Sequence, residues 1–163
     1  MCENDTLSPI FGNEFMNSNK EQALLAEMIR SENTNVPVTA TPLSALLDYV
    51  ILTAQRGRVE MELTLSEKFT QGNGVIQGGA ATMALDTGLA YAALSAIEQG
   101  QTVITVNMQT QFYRPIFPGR QRIRAWIDKP GRKLLFCIAE LIDQDERVLA
   151  RAESPLLVTS LND

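Results

Sequence analysis

Hydrophobic and polar residues follow different periods along the chain, and each period predicts a different kind of element. In residues 19–30 apolar side chains recur every three or four positions between charged ones, which is typical of an amphipathic helix, and Ser18 is a candidate cap for it. In residues 58–65 apolar and polar side chains alternate strictly, which predicts a half-buried strand. Residues 49–55 precede it, and the two segments predict a hairpin that turns near residues 55–57.

A continuous apolar stretch runs from Gly78 to Ile97 and contains a single charged residue, Asp86. Its length would suit a membrane span. However, it is mostly Ala, Gly, Ser and Thr, and a carboxylate near its middle would cost about 2.5 to 3.5 kcal/mol in a bilayer. The stretch therefore predicts a long helix buried in a protein core, with Gly100 as its C-terminal stop.

Strand-like runs follow this helix in residues 102–113, 120–128, 133–142 and 147–159, with turn residues between them. Short connections predict antiparallel neighbours, because parallel strands need long crossovers. One apolar helix with about five or six such strands predicts an α+β fold, in which a curved antiparallel sheet wraps the helix. Residues 1–40 are expected to form an N-terminal appendage, and residues 41–163 the main domain.

The charge balance and the cysteines limit the partners and the compartment. A net charge of −5 argues against nucleic acid or an anionic membrane as the main partner, because both require a basic surface. Cys2 and Cys137 lie far apart in the sequence, and the N-terminus lacks the basic and apolar regions of a signal peptide. We therefore expect a reduced, cytoplasmic protein.

The chain contains no histidine. This excludes Ser-His-Asp and Cys-His triads, histidine-ligated zinc and a histidine general base. Catalysis would have to use carboxylates, hydroxyls, amides or backbone N–H groups. We expect neither a metal nor a redox cofactor.

The segment QGNGVIQGGAATMALD, from Gln71 to Asp86, contains the candidate chemistry. A glycine pair at the start of a helix lets backbone N–H groups approach a ligand closely, and the helix dipole adds partial positive charge there. Such donors suit a thioester carbonyl, which becomes an oxyanion during hydrolysis. The carboxylate of Asp86 could act as a nucleophile or as a general base on water.

This segment resembles the hotdog-fold acyl-CoA thioesterases of the phenylacetate-pathway type. In that family an Asn or Gln and a glycine precede His-Gly-Gly at a helix start, and an acid follows eight residues after the first of those glycines. The sequence VNMQTQFYRPIFPG, in residues 106–119, is similar to the family's next strand and turn. The resemblance extends over residues 43–158 and departs from the family at Gln77, where histidine is common.

The resemblance implies hydrolysis of an acyl-CoA thioester, with coenzyme A as part of the substrate. It assigns the oxyanion amide to Gly78, the reacting carboxylate to Asp86, a polar contact to Gln71, and to Thr105 the hydroxyl that positions the carboxylate or its water. The further substrate contacts expected are Asn73, Gln77, Gly79, Arg114, Arg132 and Lys133. The three cations among them could hold the phosphates of coenzyme A.

Helix geometry separates the two main groups of this predicted site. Eight residues at about 1.5 Å each put Asp86 about 12 Å along the axis from Gly78, too far for both to reach one thioester carbon. The sequence therefore predicts a homodimer with two composite sites at its interface. Two dimers could form a tetramer, as is common in the family.

Other interpretations stay open at this point. Asp86 could be a buried structural acid with satisfied hydrogen bonds. The protein could bind acyl-CoA without turnover, which Gln77 favours, because an amide cannot titrate near neutral pH. A hotdog dehydratase or hydratase is disfavoured, because those enzymes use a histidine, and a purely structural oligomer is a further alternative.

Overall fold

The structure is a computed structural model that describes residues 19–161. Its helices are α1 (Lys20–Ser31), α2 (Pro42–Leu46) and α3 (Gly78–Leu94). The strands are β1 (Val36–Pro37), β2 (Val50–Gln55), β3 (Arg58–Leu65), β4 (Gln101–Thr105), β5 (Gln109–Phe112), β6 (Gly119–Lys129), β7 (Leu134–Ile142) and β8 (Val148–Ser160). A short 3₁₀ turn, Glu67–Phe69, precedes the loop that leads into α3.

The strands form one antiparallel sheet in the order β1-β2-β3-β6-β7-β8-β4, with β5 also paired to β8. This confirms the predicted α+β architecture of a helix wrapped by an antiparallel sheet. The predicted hairpin is also confirmed, since Gln55 pairs with Arg58. The described residues contain eight strands where the sequence predicts about five or six. The difference arises because run 102–113 is split in two and Val36–Pro37 adds a short edge strand.

Helix α3 lies against the inner face of the sheet and contacts β3, β4, β6, β7 and β8. Its side chains towards the core are mostly small, and Gly88 sits where the helix meets Ile123 and Ala125 of β6. The helix ends at Leu94, earlier than predicted. The predicted stop, Gly100, instead takes a left-handed conformation with φ 86° in the turn before β4.

Substitution of Gly88 by alanine is expected to lower the free energy of unfolding by about 1 to 3 kcal/mol. A Cβ at this position would lie 2.5 Å from Ile123 Cγ2, so the helix and the sheet would have to move apart. Gly79 is the matched control, because a Cβ there meets nothing within 4 Å. Denaturant unfolding of both variants checks the prediction, and equal stabilities would contradict it.

Helix α1 packs against α3 and β2. Its N-cap is Asn19, whose side chain accepts hydrogen bonds from the Glu21 and Gln22 amides. Ser18, the candidate cap, lies outside the described residues. The hydroxyl of Tyr91 on α3 donates to Glu21 Oε1 at 2.7 Å. Burial is the main cause that raises the pKa of Tyr91, and this hydrogen bond is the second. The division of the chain at residue 40 stays a prediction.

Among the helices of residues 19–161, none has the length and apolarity needed to cross a membrane. The apolar stretch that begins at Gly78 forms a helix packed against the sheet, as predicted. Its buried residues include Leu85 and Leu89.

Candidate active site

Asp86 and Thr105 meet where α3 passes the last residue of β4. Thr105 Oγ1 donates to Asp86 Oδ1 at 2.9 Å. Both residues are half-buried, and the second carboxylate oxygen of Asp86 has no hydrogen-bond partner within residues 19–161. The carboxylate is thus held by one side chain and keeps one oxygen for a water molecule or a ligand.

A buried tyrosine holds the helical turn that carries this carboxylate. Tyr49 donates to Thr87 Oγ1 at 2.9 Å, and Thr87 in turn donates to the Met83 carbonyl at 3.2 Å. Burial raises the pKa of Tyr49 to about 12, so the phenol stays neutral near pH 7. Sequence reasoning missed this residue, because a tyrosine before a strand carries no signal of a contact 38 residues away.

The end of β4 is fixed by a bulge opposite Pro155. Thr105 pairs with Leu156, and Gln109 pairs with Glu153. Between these two pairs the edge advances by four residues and β8 by only three, so the edge contains one extra residue. Pro155 has no N–H to donate to the edge, although its carbonyl accepts from the Val106 amide at 3.1 Å. The missing donor explains why the ladder breaks directly after Thr105.

The second part of the site is the N-terminus of α3. Gln77 is the N-cap residue, but its exposed side chain makes no capping bond. Its amide donates to the Phe69 carbonyl at 2.8 Å, and the Ile76 amide donates to the Ile116 carbonyl at 2.7 Å. The loop is therefore pinned on both sides, while the amides of Gly78 and Gly79 have no acceptor among the described residues.

The ring of Phe112 lies directly over Gly78. A Cβ built on Gly78 would be 3.3 Å from Phe112 Cζ, so a side chain here would require the ring to shift by a few tenths of an ångström. Phe112 itself is 50% exposed. No pattern within one segment predicts this contact, because it joins a helix start to the end of a later strand.

One chain therefore forms two half-sites, separated by about 12 Å of helix α3. One contains Asp86 and Thr105, and the other contains Gly78, Gln77 and Phe112. The side chains of Gln71 and Asn73 are exposed on the loop before α3, and within residues 19–161 neither forms a hydrogen bond with Asp86. The fold alone leaves the carboxylate and the glycine amides apart.

Known proteins share both sequence and fold with this chain. Residues 73–150 match the thioesterase superfamily. A thioesterase family protein from Silicibacter pomeroyi is 29% identical, with a TM-score of 0.72 over 83% of this chain and 98% of that one. A phenylacetic acid degradation-related protein from Ralstonia eutropha, provisionally named a thioesterase, is 28% identical, with a TM-score of 0.70 over 82% and 98%. A provisionally named esterase of Saccharolobus solfataricus is 26% identical over 65% of this chain and 75% of its own length.

The match over residues 73–150 and the shared hotdog architecture support a thioesterase family for this chain. The resemblance read from the segment 71–86 is thereby confirmed. This similarity supports thioester hydrolysis in general. The roles of individual residues in this hotdog protein stay predictions.

The cations predicted to hold phosphates lie at opposite ends of the hotdog sheet. Arg114 donates to the Val148 carbonyl at 2.7 Å, whereas the Lys133 carbonyl accepts from the Val158 amide at 2.8 Å. Val148 and Val158 are ten positions apart in β8, which corresponds to about 33 Å. Within one chain Arg114 and the turn with Arg132 and Lys133 cannot hold the same phosphate.

Cys137 is a packed residue of the hotdog core. It is 1% exposed, and burial raises the pKa of its thiol to about 12. The thiol therefore stays protonated near pH 7. Within residues 19–161 no group of three histidine, cysteine, aspartate or glutamate side chains is arranged to hold a metal ion.

Proposed function

We propose that the protein hydrolyses acyl-CoA thioesters to a free acid and coenzyme A, at two composite sites of a homodimer. The observation that carries the proposal is the pairing of Thr105 with Asp86 at 2.9 Å, on the helix whose first amides are unpaired. An oriented carboxylate can activate water, and free amides at a helix start can stabilise an oxyanion. These are the two requirements of thioester hydrolysis.

The open edge of the sheet supports the dimer. Strands β4 and β5 lie at this edge, and Ile104, Val106 and Phe112 are exposed there by 52%, 55% and 50%. Unpaired strand edges with apolar side chains are templates for pairing with another chain. We therefore infer that two copies join edge to edge through β4 and β5, related by a two-fold axis.

Such an axis brings the separated half-sites together. If it crosses the edge midway between Thr105 and Phe112, Thr105 of one chain faces the partner's Phe112 across the interface. Since Thr105 holds Asp86 and Phe112 covers Gly78, the carboxylate then faces the partner's glycine amide. The same axis brings the turn of Lys133 towards the partner's Arg114, because Lys133 adjoins Val158, which pairs with Val103.

The chemistry follows from this arrangement. Asp86 removes a proton from water as the water oxygen bonds to the thioester carbon, and the negative charge on the carbonyl oxygen is stabilised by the amide of the partner's Gly78. The carbon–sulfur bond then breaks, the thiolate leaves, and it is protonated by the carboxylic acid form of Asp86. Direct attack by Asp86, which would form an anhydride that water hydrolyses, uses the same groups.

The test is release of free thiol from a panel of short, long and aromatic acyl-CoAs by the purified protein. Turnover of at least one of them is expected, with activity present only at concentrations where sedimentation shows a dimer. Full activity of a monomer at micromolar concentration would overturn the composite site. Absence of turnover across the whole panel would overturn hydrolysis.

Replacement of Thr105 by valine is expected to lower kcat by about tenfold, whereas serine should retain most of it. Valine keeps the shape of threonine but removes the hydroxyl that orients Asp86. The readout is kcat for the best substrate of the panel, with KM measured in parallel. Equal kcat values for the valine and serine variants would show that the hydroxyl has no part in turnover.

Binding without turnover is the second candidate function. Gln77 favours it, because histidine is common at this position in the family and the Gln77 side chain is exposed and uncapped. An amide cannot exchange a proton near neutral pH. Tight binding of acyl-CoA by calorimetry, together with no thiol release, would favour this second function.

A further inference from the structure

The two ends of the sheet bond to successive residues of α3. At one end, Thr105 is the last residue of β4, and its hydroxyl donates to Asp86 at 2.9 Å. At the other end, Tyr49 directly precedes β2, and its hydroxyl donates to Thr87 at 2.9 Å. In the order of the sheet, β2 is next to the first strand and β4 is the last. The curved sheet therefore holds one turn of the helix from both of its ends.

Tyr49 is a donor whose own position is fixed. Its ring is buried, with 2% exposure. Its amide donates to the Ser44 carbonyl at 3.0 Å, and its carbonyl accepts from the Val38 amide at 2.8 Å. Because burial raises the pKa of Tyr49 to about 12, the hydroxyl keeps its proton near pH 7. The bond to Thr87 is therefore made by an anchored residue in its donating form.

Thr87 connects this donor to the turn that contains Asp86. A threonine in a helix divides between two rotamers, because its hydroxyl can bond to a carbonyl of the preceding turn. Here Thr87 donates to the Met83 carbonyl at 3.2 Å while it accepts from Tyr49. The hydroxyl can do both at once, since it has one proton and two lone pairs. The two bonds select one rotamer and join Tyr49 to the turn 83–87.

The bonds at Asp86 and Thr87 together limit the rotation of this turn about the helix axis. Adjacent residues of a helix point in directions about 100° apart, so the two bonds act along different directions. With side chains that reach about 5 Å from the axis, a rotation of about 10° would move the Asp86 carboxylate by about 1 Å. A misplacement of this size can lower a rate about a hundredfold. The bond from Tyr49 therefore bears on the position of the carboxylate.

A second buried tyrosine bonds to a different part of the protein. Tyr91 is 1% exposed and donates to Glu21 Oε1 at 2.7 Å, but Glu21 belongs to α1 and not to the sheet. Tyr91 also lies more than one turn beyond Asp86, about 7.5 Å along the axis. Its hydroxyl can therefore stabilise the packing of α1 without setting the position of Asp86 relative to Thr105.

We propose that Tyr49 is a positioning residue for hydrolysis, which through Thr87 keeps the Asp86 carboxylate beside Thr105 and the attacking water. The inference rests on the proposed function, in which Asp86 activates that water. In this role Tyr49 touches neither the water nor the thioester. Its loss is therefore expected to lower kcat and to leave KM unchanged.

The test compares Tyr49→Phe with Tyr91→Phe, each of which removes one hydroxyl from a buried ring. Both variants are expected to lower the Tm by about 2 to 4 °C. Only Tyr49→Phe should lower kcat, and by about tenfold, because packing of the buried face of α3 still limits the rotation. Equal kcat values for Tyr49→Phe and wild type would overturn the proposal.

Combined variants separate positioning from a general loss of structure. In Asp86→Asn the carboxylate that Tyr49 positions is absent, so the addition of Tyr49→Phe should lower the residual kcat no further. Thr87→Val removes the connecting hydroxyl and should lower kcat as much as Tyr49→Phe does, with no further loss when the two are combined. A tenfold loss that persists in the Asp86→Asn background, or additive losses at Tyr49 and Thr87, would contradict the positioning role.

Crystal structures of the variants keep this inference distinct from the proposed function. The distance from Thr105 Oγ1 to Asp86 Oδ1 is expected to lengthen in Tyr49→Phe and to stay near 2.9 Å in Tyr91→Phe. Such a shift, with no turnover of any thioester, would support the positioning and contradict hydrolysis. Turnover that depends on Asp86, with kcat and this distance unchanged in Tyr49→Phe, would contradict the positioning and leave hydrolysis intact.

Discussion

Replacement of Asp86 by asparagine is expected to lower kcat by about a thousandfold, within the range that general base catalysis contributes. The amide has almost the same shape and can still accept the Thr105 hydroxyl through its oxygen. It cannot remove a proton from water or attack a thioester. Thiol release at saturating acyl-CoA measures the effect, and thermal unfolding verifies that the fold is retained.

Asp128→Asn is the matched control, because Asp128 is an exposed carboxylate near the end of β6. It should leave kcat unchanged. If Asp86→Asn kept kcat within a few-fold of wild type, the carboxylate would be a structural acid whose hydrogen bond only stabilises the junction of α3 and β4. The loss of activity with retained stability is thus the result that separates the two interpretations.

The same residue allows the two chemical routes to be separated. In a single turnover in H₂¹⁸O, a general base mechanism puts the heavy oxygen only into the released acid. Attack by Asp86 itself forms an anhydride, and water can then add the heavy oxygen to the Asp86 carboxylate. Mass spectrometry of the peptide that contains Asp86 distinguishes these routes.

Local periodicity explains which elements the sequence could predict. The alternation over residues 58–65 and the apolar stretch from Gly78 each report on one element, and both are found in the fold. The bulge after Thr105 could not be predicted in this way. It depends on Pro155, which meets the edge only because β8 folds back beside β4 and β5.

In the candidate site, too, the sequence predicts features that lie within one segment but not contacts between distant segments. The glycines and Asp86 could be found from spacing within one segment, and the resemblance added Thr105. Contacts between distant segments could not be found, such as Phe112 over Gly78 and Tyr49 on Thr87. Each of these contacts needs the relative placement of a helix and a strand, which no residue pattern within either segment contains.

Replacement of Gly78 by proline is expected to lower kcat/KM by a hundredfold or more, because single oxyanion-hole donors are worth about 2.7 to 4 kcal/mol. Gly78 is the first residue of α3, where proline is tolerated, and Gln77 has φ −59° and ψ 132°, which suits a residue before proline. The variant therefore removes the N–H without breaking the helix. Gly78→Ala retains the N–H and is the control for the contact with Phe112.

Mixing the two inactive variants gives the sharpest result for the composite site. In a heterodimer of Asp86→Asn and Gly78→Pro chains, one site combines an intact Asp86 with the partner's intact Gly78, and the other site contains both defects. Equal amounts of the variants, unfolded and refolded together, give about half heterodimers and so about a quarter of wild-type activity. If native mass spectrometry detected the heterodimer while the mixture stayed inactive, Asp86 and the Gly78 amide would not act on one thioester across the interface.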